Sequence, residues 1–246
     1  MTNHDDHFMN RRQLIAASIL TGAAALGAPT PCHARAANRL PLPSNGGPIP
    51  VAFLMDENAV VIDFAGPWEV FQDAINGGAT GFELFTVSPS PDMLRTTGGM
   101  QLVPHYTLAN APAAKVVVIP AMGTRRPEDR QRKVDWLRER IPDADIMLSV
   151  CTGAFWLART GALNGLSATT HHDFFDSFER DFPEVRLMRG RRFVENGKMV
   201  TSGGLTSGID AALRVLERYY GREAATRTAG FMEYESRGWI EGAAAN

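Results

Sequence analysis

Cysteine is almost missing from this chain: 246 residues hold two, Cys32 and Cys151. Cys32 falls inside a leader-like segment, so the processed chain retains one thiol and no internal disulfide is possible. Long apolar runs are also missing after residue 36, which excludes a membrane-spanning helix and leaves the processed chain expected to be soluble. Charge of one sign is not in excess either. Residues 37–246 carry 22 basic and 25 acidic side chains, a balance of −3 that offers no electrostatic footprint for nucleic acid. Histidines are few, and neither their spacing nor that of the cysteines matches a metal-ligand pattern. There is no internal repeat and no low-complexity block.

Residues 1–36 read as a removable leader. Arg11-Arg12 precede an apolar stretch from Leu14 to Ala28 that is too short to span a bilayer, and Ala34-Arg35-Ala36 supplies an A-x-A cleavage site. The stretch Asn10-Arg11-Arg12-Gln13-Leu14-Ile15 is similar to a twin-arginine export signal, although the Ser or Thr usual before the pair is absent. An exported, periplasmic protein is the expectation. Residues 37–48, rich in Pro and Gly, read as a flexible tether, and residues 49–246 as the folded domain.

Within that domain, apolar runs expected as strands alternate with amphipathic helices. Strands are expected at 50–55, 82–88, 115–119, 146–150 and 167–170, with a small hairpin around 100–104 and another over 192–201 turning at Asn196-Gly197. Helices are expected at 64–75, 127–141, 153–160, 173–181, 205–220 and 223–234. This order predicts an α/β three-layer sandwich with a mainly parallel sheet. The helix at 127–141 interleaves Arg126, Arg130, Arg132 and Lys133 with Glu128, Asp129, Asp135 and Glu139, the pattern of a solvated face. Arg186, Arg189, Arg191 and Arg192 read as a solvated loop.

The chemistry concentrates at Ser149-Val150-Cys151-Thr152-Gly153-Ala154-Phe155. A buried strand runs into a turn of small residues and then a helix, with a thiol at the corner, which is the layout of a nucleophile elbow. Such a corner lies beyond the carboxyl edge of the sheet, at the positive end of the following helix. That position predicts a thiol more acidic than the ordinary value of about 8.5. A second candidate is Asp63, which follows an apolar run and precedes Gly66-Pro67; it reads equally as a helix cap and as an acid or base. His105 has no evident partner. His171 and His172 are neighbours on an expected strand, where alternate side chains face opposite ways and a shared metal site is not expected.

Taken together, Asp63 to Phe71, Val150 to Ala154, Ala168 to His171 and Ser202 to Asp210 resemble the ordered motifs of the ThiJ/PfpI superfamily, in particular its isonitrile hydratase branch (cyclohexyl-isocyanide hydratase-like). The resemblance covers about residues 50–235. It implies a flavodoxin-like fold of the class I glutamine amidotransferase type, usually a homodimer, with Cys151 as nucleophile and Asp63 beside it. Peptidase-like members carry histidine after the cysteine; this chain has Thr152, which removes the base for proteolysis and matches the hydratase pattern. Pro120-Ala121-Met122-Gly123 stands where relatives have P-G-G, so an oxyanion hole from Ala121, Met122 or Gly123 depends on their backbone not needing positive φ. Gly66 and His171 complete the expected substrate-binding set, His171 as a hydrogen-bonding residue.

The resemblance implies that an isonitrile is hydrated to an N-substituted formamide through a thioimidate on Cys151, with no cofactor and no metal. Two other classes stay open. One is a different cysteine chemistry on the same fold, glyoxalase-like or amidase-like. The other is a non-catalytic ligand or redox sensor, similar to the domain of AraC-type regulators. No helix-turn-helix pattern follows in this sequence, and the leader argues against a role on DNA.

Overall fold

A computed structural model describes residues 39–241; the leader-like segment and Cys32 lie outside them. In chain order the strands are β1 (Ile49–Leu54), β2 (Phe82–Ser88), β3 (Leu94–Arg95), β4 (Gln101–Leu102), β5 (Tyr106–Thr107), β6 (Val116–Ile119), β7 (Ile146–Val150), β8 (Ser167–Ala168), β9 (Arg186–Leu187), β10 (Phe193–Asn196) and β11 (Met199–Ser202). The helices are α1 (Val61–Gln72), α2 (Asp129–Arg140), α3 (Gly153–Arg159), α4 (Phe175–Asp181), α5 (Ser207–Tyr220), α6 (Arg222–Phe231) and α7 (Gly238–Glu241). Seven strands form the central sheet in the order β10-β11-β7-β6-β1-β2-β5. All its pairs are parallel except β10 with β11 at one edge.

The strand sequences explain the three layers. In β6 and β7 every residue is buried, and alternate side chains serve opposite cores. Val116, Val118, Ile146, Leu148 and Val150 join one cluster with Phe64, Phe71, Val215 and Leu216 from α1 and α5. Val117, Ile119 and Met147 join the other with Leu137, Trp156 and Phe178 from α2, α3 and α4. The two-residue period of a strand thus feeds both faces at once, and each fully buried Val or Leu contributes about 1.5–3 kcal/mol. Among the described residues no helix is long and apolar enough to cross a membrane. Leu40, within the stretch read as a tether, donates its N–H to the Arg218 carbonyl at 2.7 Å.

Several boundaries differ from the sequence reading, each for a physical reason. α1 starts at Val61, three residues before its expected start, so Asp63 lies in its first turn. The segment expected as a strand over 167–170 keeps only Ser167 and Ala168, paired with β9 outside the main sheet. Its next residue is held crosswise: the Thr169 N–H donates to Thr201 Oγ1 at 2.9 Å. Asn196 pairs with Met199, so the β10–β11 turn is Gly197-Lys198, with Gly197 taking the positive φ of 59°. The charge-rich helix is not wholly solvated, since Asp129 and Lys133 are buried.

Candidate active site

Four loops at the carboxyl edge of the sheet converge on one thiol. The elbow forms because β7 must end in a turn that leaves room for the neighbouring strand. A Cβ on Gly153 would run into the carbonyl of Ile119, so only glycine lets α3 start so close to β6. Cys151 takes the strain of the corner with φ 58°, a left-handed conformation uncommon for a side-chain-bearing residue. Its N–H donates to the Gly203 carbonyl at 3.0 Å, and its carbonyl accepts from Thr170 Oγ1 at 2.8 Å. The loops after β8 and β11 therefore hold the elbow from two sides.

Asp63 faces this thiol from α1 and is fully buried. Its side chain does not cap the helix: Oδ2 accepts the Ala121 N–H at 3.2 Å, while the Cys151 thiol and the Leu205 N–H face the carboxyl without a well-aligned hydrogen bond to Oδ1. Burial drives the carboxyl up to about 6, opposed by the Ala121 N–H, the Cys151 thiol and the Leu205 N–H. Pro67, inside α1, has no N–H to return to the Asp63 carbonyl, so the helix is slack where the acid sits.

The thiol itself moves opposite to the expected direction. Burial and the charge of Asp63 push Cys151 up to about 12, against the N–H and hydroxyl of Thr152, which favour the thiolate. The expectation of an acidic thiol weighed the helix end alone. That end is worth about 0.3–1 kcal/mol at an exposed position, less than desolvation next to a carboxylate. Thr152 precedes α3 without capping it through its side chain, and instead serves the sulfur.

The other expected site residues fall into place unevenly. None of Ala121, Met122 and Gly123 adopts positive φ, so the Pro120-Ala121-Met122-Gly123 sequence fits without strain. The Ala121 N–H is committed to Asp63 and that of Gly123 to the Glu57 carbonyl at 2.8 Å, so these two do not form an oxyanion hole. Met122 keeps an N–H without a partner among the described residues. Gly66 sits one turn beyond Asp63 and faces Ile209 of α5, where an added Cβ would stand 2.8 Å from Ile209 Cγ1; helix packing accounts for it. His171 packs against the backbone of Gly204, and its Nδ1 accepts the Asp173 N–H at 3.2 Å.

His171 and His172 do not point apart as a strand would require. The chain has left the strand, His172 opens a 3-10 turn, and the two rings stack at 4.4 Å. Their nitrogens and an Asp173 carboxylate oxygen lie within 4.8 Å of one another, a donor set for a divalent ion with His172 and Asp173 exposed. His105 does have partners: Nδ1 meets Thr86 Oγ1 at 2.8 Å, and the ring stacks on Trp68. The arginine loop is paired, with Arg189 on Asp176 and Glu179 and Arg192 on buried Asp210. Sequence reasoning missed Leu205, which also takes a left-handed φ of 57° and turns its N–H toward Asp63. The motif from Ser202 to Asp210 pointed to this loop, but not to strain falling on leucine.

An α/β sandwich with a strained cysteine at its strand-to-helix corner and a buried carboxyl group against it defines the class. The chain belongs to the DJ-1/PfpI family, whose pattern it matches over residues 50–218. It is 28% identical over 197 residues to the HTH-type transcriptional regulator GbdR of Pseudomonas aeruginosa, a match covering 78% of this chain and 53% of the regulator. The chain thus spans about half the length of that relative. It is 28% identical over 187 residues to an isonitrile hydratase of Pseudomonas putida, covering 75% of this chain and 78% of the enzyme. Among solved structures, an AraC family transcriptional regulator from Pseudomonas putida superposes with a TM-score of 0.67 at 19% identity, covering 75% of this chain and all of that one.

Proposed function

We propose that the protein hydrates a small isonitrile to an N-substituted formamide. The observation that carries this reading is the proton relation between Asp63 and Cys151: an acid near 6 against a thiol near 12, both buried. At neutral pH the pair holds one proton, resting on sulfur. The thiol proton passes to Asp63 as sulfur attacks the terminal isonitrile carbon, and Asp63 then gives it to that carbon, leaving a thioimidate. Water adds to the same carbon with Asp63 accepting its proton. Asp63 hands that proton to the imidate nitrogen; collapse of the adduct then forms the C=O bond and breaks the C–S bond, the hydroxyl proton passes by way of Asp63 to sulfur, and the formamide leaves. An acid–base group matched to operating pH contributes about a hundred- to ten-thousand-fold in such steps. The hydratase relative supports the substrate class. Export is part of this reading and rests on residues 1–36 alone.

Formamide production from an alkyl isonitrile by the purified chain, beside Cys151→Ala, tests it; product that disappears with the thiol supports hydration, and none from folded protein removes it. Two observations favour a second reading, a ligand-binding domain without turnover. The first-named relative is a transcriptional regulator, and the Ala121 and Gly123 N–H groups are already spent. Saturable isonitrile binding with no formamide would select it.

A further inference from the structure

We propose that Lys133 is a positioning residue for this site, its buried ammonium clamping the loop that aims the Ala121 N–H at Asp63 onto the loop that leads into the Asp63 helix. The inference rests on the reading of Asp63 and Cys151 as the reacting pair. Lys133 is fully buried, which is rare for lysine and tolerated only when the charge is paired. Its Nζ donates to Asp56 Oδ2 at 2.6 Å, to the Gly123 carbonyl at 2.7 Å and to Thr124 Oγ1 at 3.1 Å. All three N–H bonds of the ammonium are thereby used, and Nζ also stands 4.0 Å from the Trp156 ring centre.

Both loops lead to Asp63. On one side, Asp56 Oδ1 accepts the Glu57 N–H at 2.8 Å, and the Asp56 carbonyl accepts from Ala59 just before α1. On the other, Gly123 and Thr124 follow Ala121, whose N–H is the donor to Asp63. Cross-links complete the frame: Gly123 N–H to the Glu57 carbonyl at 2.8 Å and Val60 N–H to the Ala121 carbonyl at 2.9 Å. Without the ammonium, the Gly123 carbonyl loses its donor and Asp56 is a buried, unpaired charge, so the two loops must part to admit water. The Ala121 bond to Asp63 loosens with them, and the carboxyl becomes less acidic.

The titratable groups on the elements packed against α1 are engaged elsewhere, apart from the thiol. Cys151 acts on it from the elbow. From α5, Asp210 is taken by Arg192; on the β2 side, His105 is engaged by Thr86 and Trp68. Around Lys133 itself stand Asp56, Asp129 and Arg130.

The test is the rate of Cys151 alkylation by iodoacetamide against pH, using the full chain, Lys133→Met and Thr124→Val. The wild-type rate should rise through about pH 6 and level off, following Asp63 ionisation. Lys133→Met should move that inflection up by about one pH unit, making alkylation at pH 6 roughly fivefold slower. Thr124→Val, which removes one partner without stranding a charge, should move it the same way by less. An unchanged inflection in folded Lys133→Met overturns the proposal, leaving the lysine a purely structural role that would lower melting temperature alone. If circular dichroism shows Lys133→Met unfolded, Thr124→Val decides: an upward move supports the clamp and no move overturns it. A wild-type profile without an inflection that Asp63→Asn abolishes would bring down the reacting pair, and the clamp with it.

Discussion

Replacing Asp63 by Asn should change the shape of the Cys151 alkylation profile, beyond its height. In the wild type the reactive form is thiolate beside protonated Asp63, which carries the same number of protons as neutral thiol beside carboxylate. Its population therefore grows only while the pair loses its first proton, and is flat afterwards. With that first step at about 6, the singly protonated pair is about 9% of molecules at pH 5 and about 91% at pH 7. Alkylation should rise about tenfold over that interval and then flatten, until the fully deprotonated pair adds its own thiolate at higher pH. Asp63→Asn leaves a lone buried thiol, whose thiolate grows about tenfold per pH unit, or about a hundredfold from pH 7 to pH 9. The assay is loss of free thiol under excess iodoacetamide, read by mass. A wild-type rate that climbs about a hundredfold between pH 5 and pH 7, as a lone thiol's does, would refute the shared proton.

The same substitution has a stability signature. The folded state holds the Asp63 proton to about 6 against an ordinary 3.8, so the favourable contribution is complete below about pH 4 and lost as pH rises through about 6. Charged Asp63 then costs up to about 3 kcal/mol, so Asp63→Asn should melt several degrees higher than wild type at pH 8 and gain little at pH 3.5. An equal gain at both values would assign the effect to something other than the buried charge. Gly153→Ala should lose about 3 kcal/mol in urea unfolding, because its methyl meets the Ile119 carbonyl; a loss under about 0.5 kcal/mol would show that the elbow can back away from β6.

The sheet was readable because strands buried on both faces are continuous apolar runs, as at Val116–Ile119 and Ile146–Val150. The elbow was readable from residue size, since Gly153 and Ala154 after a buried strand leave few other geometries. The proximity of Asp63 to Cys151 was not; it came from the motif resemblance, because no periodicity links α1 to β7. The direction of the thiol shift was hidden for the same reason, as it depends on a carboxylate that only the fold brings near. Lys133 stood three and four positions before Trp136 and Leu137, on the buried face of α2, yet charge pattern outweighed spacing in the reading. The histidine pair was misplaced because strand alternation was applied to residues where the strand had already ended.

The site draws on residues 56–63, 120–124, 150–152, 170–171 and 203–205, and these separations shape the order of folding. Parallel pairing of such distant segments forms slowly, since each contact must close a long loop before anything rewards it. Until α1 and the loop after β11 dock, Cys151 is an unshielded thiol with the ordinary value of about 8.5; afterwards it is pushed up to about 12, a more than thousandfold smaller intrinsic tendency to ionise. The nascent chain is thus more open to adventitious oxidation than the finished one, and completion of the fold replaces an openly ionising thiol by one whose proton is held on sulfur beside a buried carboxyl group.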